Sequence, residues 1–162
     1  MVGFMKITGA EGDATEQGYE KWIKISSFSE GVSRPVSSSA SSRRSTDVAS
    51  LSDMQVTKEF DKSSLNLFKF ACAGKMIDEV EIHMVTSVGD NKPTPKSKIK
   101  LKNVLVTSYS MSSSFDGSNA PLESVSLNYS KIEWAYMVMK GEDNKAGGQI
   151  DASWNIATNA PQ

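Results

Sequence analysis

The chain has 162 residues, with 18 lysines and arginines against 19 aspartates and glutamates, a formal net charge of -1 and one cysteine, Cys72. That length is the usual size of one domain, expected over 1–162, and it buries a core without covalent staples. The charge balance leaves no field that would draw nucleic acid or a membrane surface, and a lone cysteine, unable to form an intrachain disulfide, fits folding in a reducing cytoplasm.

The N-terminus, MVGFMKITGAEGDATEQ, lacks the basic start, apolar run and small-residue cleavage site of a secretory signal. No apolar run approaches the roughly 20 residues that span a bilayer, so membrane insertion is not expected. The expected location is the cytoplasm, with any exit from the cell by a route that needs no cleavable signal.

In chain order, 4–8 alternates as a short strand and a polar loop rich in Gly, Glu and Asp follows over 9–18. Aromatic and β-branched content predicts a strand over 19–28, YEKWIKISSF. The stretch RPVSSSASSRRSTDVAS, over 34–50, holds all three arginines of the chain, Arg34, Arg43 and Arg44. Alternation resumes over 51–60, with Met54, Val56 and Phe60 assigned to one face. The spacing then predicts one helix over about 63–73, with Ser63 or Ser64 as N-cap, and Leu65, Phe68 and Cys72 at i, i+3 and i+7 as its inner face, widened by Leu67 and Ala71. Gly74 supplies the left-handed stop. Further strands are predicted over 79–88, 98–110, 122–139 and 149–157, joined by turn-rich segments. Within 122–139 the row Val125, Leu127, Tyr129 has opposite parity to Ile132, Trp134, Tyr136, which requires a turn or bulge near Ser130–Lys131.

Seven or eight strands and one helix predict a mainly β fold, a compact antiparallel barrel or two-sheet sandwich with one short flanking helix. Strands of the same architecture flank the serine stretch, and the piece before residue 40 is too small for its own core. The stretch is therefore expected as a long extended loop over about 33–51 inside one domain, not a linker between two.

Candidate chemistry is sparse. His83, the single histidine, shares a strand face with Glu79 and Glu81. Such a row suits a metal or proton transfer, but a solvated polar face of a sheet is the simpler reading. Cys72 on the apolar face of the helix reads as a buried small hydrophobe rather than a nucleophile. ACAGKM over 71–76 lacks the upstream glycine of a phosphate loop, and GEDNKAGG over 141–148 lacks calcium-loop spacing. Trp22, Phe28, Trp134, Tyr136 and Trp154 invite a sugar-binding reading, for which core packing is the better default. No catalytic constellation, cofactor site or metal site is expected.

Three segments, over 4–35, 54–85 and 100–136, followed by Lys145–Gly148 and Trp154–Asn155, together resemble one family. The chain is similar to Hcp, the haemolysin-coregulated protein that forms the inner tube of the bacterial type VI secretion apparatus. The motif positions are Lys58, Asp61, Ser63, Gly74 and Trp154. One departure stands out: where many members carry Pro-Gln after the long strand, this chain has Met137-Val138-Met139. The resemblance implies a β-barrel with one flanking helix, hexameric rings stacked into a tube, a trimeric VgrG-type spike at its tip, a contractile sheath that ejects it, and effector proteins in its lumen. It implies a structural, non-enzymatic protein that is secreted on firing, with Ser27 and Ser29 facing the lumen. Arg34, Ser38, Arg43, Arg44 and Asp47 are implied in contacts between subunits or rings. No toxin extension of the kind some members carry is expected after Trp154. The competing readings are a monomeric β-sandwich that binds a ligand such as carbohydrate, and a small hydrolase.

Overall fold

The computed structural model describes residues 1–37, 45–46, 48–86, 94–115, 120–140 and 145–161. Its strands are β1 (Val2–Ile7), β2 (Ile23–Ile25), β3 (Ser27–Ser29), β4 (Val32–Ser33), β5 (Val36–Ser37), β6 (Ser45–Thr46), β7 (Ser50–Leu51) and β8 (Met54–Glu59), then the helix α1 (Ser64–Ala73). β9 (Ile77–Thr86), β10 (Thr94–Ser112), β11 (Leu122–Asn128), β12 (Lys131–Lys140) and β13 (Lys145–Asn155) follow.

All pairings are antiparallel, and the main path runs β2-β1-β9-β10-β11-β8-β3. β2 and β3 are consecutive, separated only by Ser26, whose N–H donates to the Thr57 carbonyl at 2.8 Å. The chain thus leaves β1 and joins β8 within one residue, which closes the sheet into a barrel. β12 runs along the first half of β10 and β13 pairs with β12, so this hairpin extends from the barrel wall.

The parity switch in 122–139 is real, and β10 mirrors it. Val125, Leu127, Tyr129 and Ile132 are buried along β11, the junction and β12, and Ile99, Leu101, Val104 and Val106 along β10. Both segments change face at one level, where Asn103 adopts a left-handed φ of 50° and its Nδ2 donates to Ser130 Oγ at 2.9 Å. Asn tolerates that conformation better than other side-chain-bearing residues. The corner lets a single pair of chain segments belong to two differently oriented walls.

Two expectations need correction. The strand expected over 19–28 begins only at Ile23. Lys21 is left-handed (φ 66°), its N–H donates to Ala14 O at 2.8 Å, and the Gly12 N–H donates to Lys21 O at 2.8 Å. Residues 19–22 therefore fold back on the polar loop. The second correction concerns the helix. Its buried residues are Ser64, Leu67 and Phe70, whereas Leu65 and Phe68 are 62% and 51% exposed and Cys72 is exposed. The helix carries two apolar stripes, and periodicity alone does not choose between them. Ser64 decides, because its hydroxyl is bound inside the barrel and Leu67 lies one turn beyond it on the same side.

Ser63 stands at the N-cap but makes no side-chain cap bond. Gly74 ends the helix at φ 58° with its N–H on Phe70 O, as expected. Gly74→Ala forces a Cβ into the left-handed region and is expected to cost about 1 kcal/mol, read as a lower urea midpoint at unchanged slope.

Candidate functional site

β8 alternates inward through Met54, Val56 and Lys58, all 0% exposed. Phe60, assigned to the same face, lies beyond the strand end and is 43% exposed, so the lysine is the last inward residue of the row. Lys58 Nζ lies 2.6 Å from Glu123 Oε2, 2.9 Å from Asp61 Oδ1, 2.7 Å from Glu59 O and 3.0 Å from Ser64 Oγ. Ser64 donates to Glu123 Oε2 at 2.8 Å and accepts the Asp61 N–H at 2.9 Å. Tyr109 donates to the other Glu123 oxygen, and Ser63 donates through both its N–H and its hydroxyl to Asp61 Oδ1. Burial, reinforced by the Glu123 carboxylate, pushes the Tyr109 phenol well above its ordinary value.

The motif residues Lys58, Asp61 and Ser63 thus meet in one polar knot that fixes the start of α1 to β8 and β11. Lys58 and Glu123 are both closed to solvent, so the knot holds shape rather than substrate. Sequence reasoning missed Glu123, Tyr109 and Ser64 as its other members. The only signal was an inward lysine on a strand, which needs an inward carboxylate somewhere.

His83 is not on a solvated face. The loop before β2 lies over it: Tyr19 is 4% exposed and stacks on Phe4 at 4.4 Å, and the Trp22 ring lies 4.7 Å from the imidazole. Tyr19 Oη is 3.1 Å from His83 Nδ1, and Lys6 Nζ lies 5.8 Å from the Trp22 ring centre. Burial, then Lys98, Lys100 and Lys6, lower the His83 pKa from 6.5 to about 4. The imidazole is a neutral component of a second small core with Phe4, Ala14, Tyr19 and Val85. Among the described residues no three His, Cys, Asp or Glu stand together as a metal site.

Ser27 and Ser29 are both exposed on β3, on either side of half-buried Phe28. Phe28 packs against the main core with its ring 6.4 Å from Trp134. Among the described residues β3 pairs only with β8, and β13 pairs with β12 and, at Asn155, with Ala160, so the rest of β13's outer edge has no strand partner. Arg34 follows β4, and its neighbourhood is ordered by the short ladders β4–β7 and β5–β6. Ser38, Arg43, Arg44 and Asp47 lie outside the described residues. The described arms of the segment over 33–51 pair with each other antiparallel.

Between those arms and the β12–β13 hairpin lies an apolar groove of about 430 Å³, lined by Val32, Leu51, Ile132, Trp134, Ala152 and Trp154. Trp154, the last motif residue, packs against the main core, and its Nε1 is buried with no hydrogen-bond partner among the described residues. Trp22 belongs to the small core under the first loop, and Phe28 and Trp134 flank the main one, as expected. Tyr136 is 46% exposed and departs from that expectation, because the hairpin has left the barrel by that point.

No helix in the described residues is long and apolar enough to cross a membrane. The family model described as type VI secretion system effector, Hcp, matches residues 4–136. A curated relative, Protein hcp1 of Pseudomonas aeruginosa, is 28% identical over 156 residues, 96% of this chain and 95% of its own. A solved type six secretion system protein superimposes with a TM-score of 0.90 at 27% identity over 99% of both chains. Hcp1 of Salmonella typhimurium superimposes with a TM-score of 0.80 at 25% identity, over 99% of this chain and 98% of its own. A closed barrel with one helix locked on by the Lys58 knot, matched across nearly its whole length, makes this chain a member of the Hcp family of type VI secretion proteins.

Proposed function

We propose that this protein is a structural subunit of the type VI secretion tube. It forms hexameric rings that stack, is ejected with a VgrG-type spike when a contractile sheath fires, and carries effector proteins in its lumen. The observation that carries this reading is the family match over a barrel whose long β13, apart from the Asn155–Ala160 bridge at its end, has no second strand partner among the described residues. An open edge of that length recruits a strand from another chain, and one contact repeated head to tail closes into a ring. Ser27 and Ser29, exposed on β3, suit a wettable channel wall. The chain works as a scaffold rather than an enzyme, made as one domain in the cytoplasm and delivered outside the cell.

Negative-stain images and light scattering test the proposal. Six-fold rings and a mass near six chains are expected; a monomer at high concentration with no rings would overturn it, in favour of a free ligand-binding module. The double variant Arg43→Glu/Arg44→Glu is expected to fold normally, seen in its unchanged melting, and to lose stacking of rings. Undiminished stacking would remove these arginines from the assembly contact.

A further inference from the structure

Between β3 and β8 the chain leaves the barrel and returns as two short arms that have little of their own to hold them. Among the described residues β4 pairs only with β7 and β5 only with β6, two residues to each ladder. Val32, Val36 and Val48 are exposed, while Leu51, at the foot, packs against the main core. An isolated two-stranded ribbon is marginally stable in water. Its direction must therefore be set where it joins the barrel.

That joint is closely bonded. Ser52 donates through its N–H and its hydroxyl to the Gly31 carbonyl, at 2.9 and 3.1 Å, which ties the foot of one arm to the foot of the other. Asp53, the next residue, reaches across to the barrel. Its Oδ1 accepts from Asn128 Nδ2 at 2.7 Å and its Oδ2 from Thr107 Oγ1 at 2.6 Å. Asn128 ends β11, and Thr107 sits where the register of β10 against β11 shifts, between Val106 and Ser108. Such a bulge re-aims a side chain, and here it brings a hydroxyl to the carboxylate. Tyr129 is buried beside the same joint, where burial and the Glu30 and Asp53 carboxylates raise its phenol to about 12. Both oxygens of Asp53 are thus committed, one to each of two barrel strands.

We propose that Asp53 is a positioning residue for assembly: it fixes the direction in which β4 to β7 leave the barrel, so that each ring presents its arms already set for the next. This rests on the tube reading above and names the residue that prepares its contact. An arm held in one direction loses less freedom on docking, and the affinity of the contact gains accordingly.

Asp53→Ala removes both bonds and Thr107→Val removes one. Asp53→Asn keeps both, with Oδ1 accepting from Asn128 and Nδ2 donating to Thr107. Amide hydrogen exchange of unstacked protein reads the arms, and light scattering with negative-stain images reads stacking. In Asp53→Ala, exchange at Ser52 and along β4 and β7 is expected to be about tenfold faster or more, as for lost bonds to a charged group. The melting of the barrel is expected to stay nearly unchanged, and the concentration for half-stacking to rise by a similar factor. Thr107→Val should fall between, and Asp53→Asn should match the parent. Arm exchange no faster in Asp53→Ala would overturn the clamp. Faster exchange with undiminished stacking would overturn its part in assembly and leave the tube reading standing. A large drop in melting, with exchange raised throughout the barrel, would make Asp53 a general stability residue and overturn the proposal too. A parent that forms no rings would overturn both readings.

Discussion

Lys58→Ala is expected to destabilise the folded chain by about 3–5 kcal/mol, the largest effect of any single substitution outside the apolar core. The reason is what remains. Glu123 is 0% exposed and loses the cation 2.6 Å away, and a buried carboxylate without a counter-charge pays its desolvation in full. Tyr109 and Ser64 still donate to it, but two neutral donors do not replace an ammonium. The helix start loosens as well, because Asp61 and Ser64 are held through the same Nζ. The double variant Lys58→Met/Glu123→Gln tests whether charge or shape matters. The glutamine amide still accepts from Tyr109 and donates to Ser64, and the methionine fills the lysine's channel. A buried pair replaced by neutral groups of similar volume is often tolerated. The double variant is therefore expected to recover more than half of the loss in urea denaturation. A single-variant loss below about 1 kcal/mol, the worth of an exposed pair, would show that the knot contributes no more than a surface contact.

The knot also explains what the sequence could and could not disclose. Alternation placed most strands and the parity break at Ser130, because side-chain direction on a strand depends only on local count. The family's motif positions pointed to Lys58, Asp61 and Ser63. Their partners Glu123 and Tyr109 were illegible, because they lie 65 and 51 positions further along and meet Lys58 only when β8, β11 and β10 pair. The same cause reversed the helix. With Leu65, Phe68 and Cys72 on one side and Leu67, Phe70 and Ala71 on the other, the buried face is set by where Ser64 is anchored. His83 failed for a related reason. Its polar neighbours Glu79 and Glu81 are local, but Tyr19 of the loop that covers it is 64 residues away in sequence. In each case the local pattern was read correctly and a non-local contact changed its meaning.

The imidazole of His83 is expected to titrate near pH 4, about two and a half units below its ordinary value of 6.5. Its side chain is only 12% exposed beneath Tyr19 and Trp22. Protonation there means charging a group away from water while Lys98, Lys100 and Lys6 face it. Glu81 Oε2, 3.8 Å away, opposes this but is tied to Lys100 at 3.4 Å. A base whose folded-state pKa is depressed binds fewer protons folded than unfolded between the two pKa values. The stability it protects is therefore complete above about pH 6.5 and is lost progressively as the pH falls toward 4. With solvent screening allowed for, the loss is about 1–2 kcal/mol. It should appear first as the loop over 9–22 lifting from β1 and β9. Because His83 is the only histidine, its ring proton resonance reads the midpoint without assignment. Gly12→Ala links that number to the loop. A Cβ at Gly12 would collide with the Trp22 carbonyl and the Ile23 backbone, which prises the loop up. Water then reaches the imidazole, and the midpoint is expected to rise by a unit or more toward 6.5. A parent midpoint already between 6 and 7 would mean that the loop does not seal His83 in solution. An unchanged midpoint in a folded Gly12→Ala chain would mean that the lysines, not the loop, set it.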